Sequence, residues 1–219
     1  MIVAVFSDVH ANLPALEAFE AAVRDVAESY LCLGDIVNYG PWNDECLERI
    51  VAMPGIQIVA GNHDRLFLDD SELAEEIPVV QEFYHASRAS FTRLDLLRDL
   101  PDETRLGPFL CSHTIAGQRI FADSEVQVGS DRLIGHSHWQ YSIQRAGWRI
   151  VNPGSVGQNR DRIDMIDYAL YDTDSDQFSF KRTGYDVGAF IAEMHARKWP
   201  APCLAYYERK LAEADERRG

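Results

Sequence analysis

The sequence predicts an α/β fold of two packed β-sheets flanked by helices, with a helical excursion at about residues 65–100, and three observations predict it. Apolar runs of strand length alternate with helix-period stripes at the start of the chain, which implies right-handed crossovers and a parallel sheet. From Pro101 onward short strands and turns take over, which calls for a second sheet packed on the first. Clusters of Asp, Asn and His follow the apolar runs repeatedly, as they do where strands deliver polar groups to the carboxyl edge of a sheet. At 219 residues and 46% hydrophobic the chain can bury one substantial core. No repeat, low-complexity stretch or linker marks a boundary, so one domain spanning 1–219 is expected.

Ile2 to Phe6 reads as a buried strand that runs into Ser7-Asp8-Val9-His10. In extended backbone, residues i and i+2 point the same way, so Asp8 and His10 are expected to hold one metal ion between them. Asn12 can cap a helix, Pro14 suits its first turn, and Leu16, Phe19, Val23 and Val26 supply its stripe. Tyr30 to Leu33 is the next strand and ends at Gly34-Asp35. Trp42 to Met53 reads as a helix, and Ile56 to Ala60 as a third strand ending at Gly61-Asn62-His63-Asp64. The segment from Arg65 to about Leu100 is helical and acidic, broken at Pro78, with Phe83, Phe91, Leu94 and Leu97 on one face; it is placed to wall or cap a site. The strands predicted beyond Pro101 are Phe109 to Cys111, Arg119 to Phe121, Arg132 to Ile134, Tyr141 to Gln144, Trp148 to Val151, Tyr168 to Tyr171 and Phe178 to Lys181. Ser112-His113 follows the first of these and Gly135-His136-Ser137-His138 the third. Asp186 starts a helix with Val187, Phe190, Ile191 and Met194 on one face, ended by Trp199-Pro200, and Ala201 to Arg218 reads as a charged, exposed last helix.

Composition excludes several roles. A net charge of −14 argues against broad phosphate-backbone binding. A protein this acidic that handles phosphate needs a local positive centre, which metal ions supply without changing the sequence charge. Cys32, Cys46, Cys111 and Cys203 are widely spaced with no C-x-x-C, so reduced thiols in the cytoplasm are the simplest reading. The opening at Ile2 reads as a strand and not as a basic leader, and no run approaches the roughly 18 apolar residues of a membrane span, so a soluble, intracellular protein is expected.

Ser7-Asp8-Val9-His10, Gly34-Asp35, Gly61-Asn62-His63-Asp64, His113 and Gly135-His136-Ser137-His138 resemble the ordered motif set of the calcineurin-like metallophosphoesterases. The extended stretches Gly34-Asp35-Ile36-Val37-Asn38-Tyr39-Gly40-Pro41 and Asn152-Pro153-Gly154-Ser155-Val156-Gly157-Gln158 resemble its small bacterial and archaeal phosphodiesterase-like branch. The resemblance covers Ile2 to about Lys181. It implies a four-layer αββα sandwich of two mixed sheets and a dinuclear metal site. On this resemblance Asp8, His10 and His138 bind one ion, Asn62, His113 and His136 the other, and Asp35 bridges them. Carboxylate, imidazole and amide ligands suit Mn²⁺, Fe, Co²⁺, Ni²⁺ or Zn²⁺ better than Mg²⁺ or Ca²⁺. Two such ions about 3.5 to 4 Å apart clamp the attacking and leaving oxygens of an in-line displacement, with hydroxide at the bridge as nucleophile. The resemblance places His63 near the leaving group, where it protonates the alkoxide or stabilises phosphoryl charge, with Asp64 as its orienting partner.

Other readings stay open at single residues. Asp64 can instead cap the helix that follows it. Arg160 either reaches a substrate phosphate or is an ordinary solvated arginine. Tyr39 and Trp139 either stack on a substrate or only pack. His85 and His195 lie within helical patterns and read as structural, and Asn152 to Gly157 reads as a turn. Thr114 stands where many relatives have Gly, and Ser137 where many have Thr. The expected activity is hydrolysis of a small phosphoester, first of all a phosphodiester. Phosphomonoesterase, dinucleoside polyphosphate hydrolase and protein phosphatase are alternatives on the same site. A scaffold without turnover is the alternative of another class, disfavoured because the ligand set and His63 are intact.

Overall fold

The structure, a computed structural model, describes residues 1–217. Its first sheet has the strand order β10-β9-β1-β2-β3 and its second β4-β5-β6-β8-β7. The first sheet comprises β1 (Ile2–Phe6), β2 (Ser29–Cys32), β3 (Gln57–Ile58), β9 (Met165–Asp172) and β10 (Gln177–Gly184). β1 pairs parallel with β2 and antiparallel with β9, so it lies at the centre. Ala4, Val5 and Phe6 are accordingly fully buried. The second sheet comprises β4 (Glu103–Leu106), β5 (Phe109–Ser112), β6 (Arg132–Leu133), β7 (Gln140–Arg145) and β8 (Trp148–Pro153). There β5, β6 and β8 run parallel, flanked by antiparallel β4 and β7.

Strand periodicity assigns the two faces. Val3, Val5, Leu31, Leu33 and Val59 point inward and meet Phe109, Cys111, Leu133 and Val151 of the second sheet. Ala4, Phe6 and Cys32 point outward against α1 (Leu13–Val23) and α2 (Asn43–Val51). Asn12 caps α1 by accepting from Ala15 N at 3.2 Å, and Pro14 lies in its first turn. The same outer face carries α3 (Asn62–Leu68), a 3₁₀ turn at Leu73–Glu75, α4 (Pro78–Arg88) and α5 (Leu94–Arg98), through Phe67, Leu73, Tyr84 and Leu97. The outer face of the second sheet, Ile134, Tyr141 and Ile150, is covered by Ile115, Ile120, Val126 and Val128. The two packed mixed sheets flanked by helices that the sequence predicts are thus present, each of five strands.

Several elements differ from expectation. β9 and β10 complete the first sheet rather than the second, which makes the first mixed. Arg119 to Phe121 is not a strand: it is irregular chain that follows a turn closed by the Ile115–Gln118 bridge. β4 went unpredicted because Glu103–Leu106 shows only one buried residue. Pro78 begins α4 instead of breaking a helix, since proline costs nothing at a first turn. Val26 lies beyond α1 and is exposed. α6 (Val187–Ala196) is capped by Asp186 as expected. α7 (Ala201–Glu216) is amphipathic rather than exposed throughout, burying Cys203, Tyr207 and Ala214 against α4 and α6. The predicted end of this helix at Arg218 lies outside the described residues. No described helix is long and apolar enough to cross a membrane.

Candidate metal centre

The polar clusters after β1, β2 and β3 meet those after β5 and β6 at one end of the sandwich, so two sheets, not one edge, supply them. The geometry behind this differs from the expectation of extended backbone. β1 stops at Phe6, and Asp8 (φ 55°) and His10 (φ 49°) both adopt the left-handed conformation. Asp35 (φ 54°), His136 (φ 67°) and His138 (φ 62°) do the same. Non-glycine residues there carry a cost that surrounding contacts must offset. Those contacts are present. Asp8 N donates to Gly34 O at 3.0 Å and His10 N to Asp35 O at 3.0 Å. Asp8 O accepts from Gly157 N at 2.9 Å and from Ser155 Oγ at 2.8 Å. The loop from Asn152 to Gln158 is therefore more than a turn. It also fixes the neighbouring loop, Asn152 Nδ2 donating to Gly135 O at 2.7 Å and to Ser137 Oγ at 3.0 Å. Gly61 lets its chain approach so closely that a methyl group there would collide with Asp35 Oδ1.

Two groups of potential ligand atoms result, Asp8, His10 and His138 in one and Asp35, His113 and His136 in the other, with the atoms of each group within 4.8 Å of one another. Asp35 Oδ2 faces both, 3.1 Å from His113 Nε2 and 3.8 Å from His10 Nε2. Carbonyl oxygens fix the tautomers, because a carbonyl can only accept. Nδ1 donates to Val37 O at 3.3 Å in His10, to Leu33 O at 2.7 Å in His113, and to Gln158 O at 2.8 Å in His138. In each neutral ring the lone pair is then on Nε2, aimed into the centre. His10 Nε2 and His138 Nε2 lie 3.4 Å apart, and His138 Nε2 lies 3.4 Å from Asp8 Oδ1.

Asp8 Oδ2 is buried without a hydrogen-bond partner among the described residues, and Asp35 Oδ2 and His113 Nε2, also buried, face only each other at 3.1 Å without an aligned hydrogen bond. Orphaned polar atoms of this kind are costly unless a cation satisfies them. Electrostatics agree. Burial pushes His10 down to about 3 and His136 to about 4, and holds His138 well below its usual value, so all three offer neutral nitrogen. Burial also raises Asp8 to about 7, with Asp35 adding to the rise. Burial opposes charge on Asp35 and His113 as well. Here the pair's mutual attraction wins, drawing Asp35 well below the carboxylate range and lifting His113 to about 9. The donor set fits two divalent transition-metal ions. Asn62 stands apart from the buried groups: it is exposed at the rim, lining the cavities beside His113 and His136.

His63 is buried beside this centre, its ring 5.3 Å from that of His10, and its backbone N–H donates to Asp35 Oδ1 at 2.9 Å. The expected pairing of Asp64 with His63 does not occur. Asp64 instead accepts from the backbone N–H of Asp35 (2.9 Å), Ile36 (2.9 Å), Val37 (3.2 Å) and Gly61 (2.8 Å). From the first turn of α3 it reaches back to the N-cap amide of Gly61 and ties two ligand loops together, nearer to the capping reading than to a catalytic one. The partner of His63 is Asn38, 3.0 Å from Nδ1 through its Nδ2. Asn38 Oδ1 is engaged by Tyr39 N at 2.8 Å, which leaves the amide nitrogen to face the ring. His63 Nδ1 therefore accepts, and its proton resides on Nε2. Asn38 was quoted in the sequence but given no role; its position five residues before Asn43, whose Oδ1 takes the Asn38 N–H at 2.8 Å, gives no sequence signal of the contact.

Two hollows leave the centre. One of about 380 Å³ runs past His113, Thr114, Arg65 and Glu103. The other, of about 570 Å³, is lined by Tyr39, His63, Ile77, Arg119, Arg160 and Tyr206 among others. Both include Asn62, Gly117 and His136. Tyr39 is buried, its ring edge-on to His10 at 4.9 Å and His63 at 5.0 Å. Trp139 faces away, half exposed in a separate surface hollow with Phe121 and Tyr141. His85 is exposed and His195 pairs with Glu208 at 2.9 Å, away from the centre.

Comparison with known proteins adds an independent line. The profile of the calcineurin-like phosphoesterase superfamily domain matches residues 1–176. A metallophosphoesterase of Sphaerobacter thermophilus is 27% identical with a TM-score of 0.78, covering 97% of this chain and 98% of its own. A hypothetical protein of Pyrococcus horikoshii shares the fold at a TM-score of 0.83 and 19% identity, over 94% of this chain and 97% of its own. An uncharacterised protein of Methanocaldococcus jannaschii is 26% identical over 85% of this chain and 88% of its own.

Proposed function

This chain belongs to the calcineurin-like phosphoesterase superfamily, and we propose that it is a dinuclear metal-dependent phosphodiesterase acting on small phosphoesters. The observation that carries this reading is the convergence of unpartnered Asp8, Asp35 and His113 atoms on one buried spot beside His63. Asp8, His10 and His138 would hold one ion, and His113 and His136 the other, with Asp35 facing both groups and Asn62 at the rim. Mn²⁺, Fe, Co²⁺, Ni²⁺ and Zn²⁺ match these oxygen and nitrogen donors. Two bound ions supply positive charge against the phosphoryl oxygens and lower the pKa of water toward about 7.

The remaining chemistry belongs to the chain. Because Asn38 donates to His63 Nδ1, the neutral ring carries its one proton on Nε2, and from there His63 hydrogen-bonds to the phosphoryl or leaving oxygen and stabilises the negative charge that develops on it. Asn38 is neutral and adds no charge of its own. Asp64 keeps the Asp35 and Gly61 loops in register, which holds Asp35 and His63 at fixed separation. A diester is favoured over a monoester because two hollows share Asn62, Gly117 and His136 at the centre, so that each can take one organic group of the ester. Four buried, unpaired cysteines accord with a cytoplasmic protein.

Chelator-stripped protein restored with Mn²⁺, Co²⁺, Ni²⁺, Zn²⁺ or Mg²⁺ singly is assayed on bis(p-nitrophenyl) phosphate and p-nitrophenyl phosphate. Metal-restored diester hydrolysis, absent from Asp35→Asn, is the expected result. Two bound ions per chain without turnover of either ester would point to a scaffold instead.

A further inference from the structure

The larger hollow carries a charge pattern at odds with the rest of the chain. In a protein of net charge −14, its lining includes two arginines, Arg119 and Arg160, against one carboxylate, Glu76. Most arginines of this chain are tied to acids: Arg49 to Glu17 and Glu20, Arg149 to Asp131 and Asp176, Arg182 to Asp161 and Asp167. Neither Arg119 nor Arg160 has a carboxylate within 4.0 Å among the described residues, although Asp161 lies next in sequence to Arg160 and pairs instead with Arg182 and Arg217. Arg160 is nonetheless held in place. Its Nη1 donates to Tyr206 Oη at 2.7 Å, and Tyr206 packs edge-on against Phe83 of α4 at 5.6 Å. That bond leaves most of the guanidinium's five donors uncommitted. Both cations line the same hollow as His63 and His136. Beside them Ile77, Val79 and Val80 form an apolar wall, and Ile77 is 62% exposed.

An anchored Arg160 and an exposed Arg119, neither with a carboxylate partner, next to an apolar wall and beside a phosphoester centre, describe a second anion subsite. We propose that the physiological substrate is an organic phosphoester bearing a second anionic group, such as a further phosphate, which Arg160 and Arg119 bind while Ile77, Val79 and Val80 receive its apolar body. The assignment rests on the hydrolase reading above and adds the substrate class to it. About 570 Å³ is the size of a small-molecule site, large enough for a nucleotide-sized group. Tyr206, which positions Arg160, lies on α7 beyond the residues 1–176 that match the family profile, so this part of the site is supplied by the chain's own C-terminal helix.

The test compares adenosine 5′-monophosphate with adenosine 3′,5′-bisphosphate, which differ by one phosphate. Their inhibition constants are measured against bis(p-nitrophenyl) phosphate hydrolysis by Mn²⁺-restored protein, and their dissociation constants by calorimetry on chelator-stripped protein, where no turnover occurs. The bisphosphate is expected to bind about tenfold more tightly, the value of one charge-assisted contact. That advantage should vanish in Arg160→Gln, shrink in Arg119→Gln, and fall in Tyr206→Phe, which keeps the ring packing while freeing the guanidinium. An equal affinity for the two nucleotides in the unsubstituted protein, or an advantage that persists in the Arg119→Gln/Arg160→Gln double variant, overturns the subsite. Calorimetry needs no catalysis, so a protein that discriminates the nucleotides without hydrolysing any ester keeps the subsite and loses the hydrolase reading.

Discussion

The loops that carry Asp8, His10, Asp35, His113 and His138 and the cavity wall beside them are held in opposite ways. In the loops every site-facing imidazole of these residues is pinned through Nδ1 to a backbone carbonyl, and strained left-handed residues are held by buried backbone bonds. In the wall, Ile77 and Arg119 are exposed, and Arg160 hangs on one phenol from a helix at the far end of the chain. The difference teaches that chemistry and choice of substrate are separable here: the first needs fixed atoms, the second only a surface that can vary without disturbing them.

Substitutions that break the rigid half should have the largest effects. Asp35→Asn removes the charge facing both ligand groups, and activity should fall at least about 10³-fold together with bound metal measured by elemental analysis; a variant with full metal and activity would falsify the bridging role. Asp64→Ala orphans the amides of Asp35, Ile36, Val37 and Gly61 at once and should cost about 3 kcal/mol or more in urea unfolding. His63→Ala should lower kcat about 10²-fold with metal retained. Asn38→Ala should lower it about tenfold, by freeing the tautomer alone; if Asn38→Ala sheds metal, the division between metal ligands and the hydrogen-bonding imidazole is wrong. At the other extreme, Ile77→Ala in the wall should shift stability by less than about 0.5 kcal/mol.

The rigid half also sets a pH signature for chelator-stripped protein. His10, His63, His136 and His138 are held below their usual value by burial, so the unfolded chain takes up protons that the fold refuses as pH drops below about 6.5. Stability falls on that side. Asp8 and Asp64, raised to about 7 and about 6, favour the fold in the opposite direction but are outnumbered. His113 is raised to about 9, so its contribution is complete below about 6.5 and is lost as pH rises through about 9. The melting temperature should therefore peak near neutrality, and metal, by deprotonating His113 beforehand, should flatten the alkaline limb. An alkaline limb unchanged by metal would place His113 outside the ion's reach.

What the sequence revealed follows the same division. Ligand types at strand ends were legible because Asp, Asn and His after apolar runs are a chemical signal. How they converge was not: the reading from extended backbone cannot foresee that Asp8 and His10 both sit at positive φ. Asp64 was read as the orienting partner of His63 because it is adjacent in sequence, whereas the contact is made by Asn38, 25 residues earlier in the chain and brought close by the β2–α2 loop. Strands with one buried face were found, but the weakly patterned β4 was not, and Arg119 to Phe121 reads as a strand only because its hydrophobic residues pack on the outer sheet through Ile120. The wall was illegible for a simpler reason. Nothing local to Arg160 announces Tyr206, 46 residues away.

The latch formed by Ser155, Val156 and Gly157 on the Asp8 loop imposes an order on biosynthesis. β1 emerges first from the ribosome yet occupies the middle of its sheet, and its antiparallel neighbour β9 is translated about 160 residues later. Until then neither the sheet nor the loop that carries Asp8 can close. A nascent chain halted after residue 150 should hence form helices, visible by circular dichroism, while retaining no metal, so that metal capture waits for the synthesis of β9.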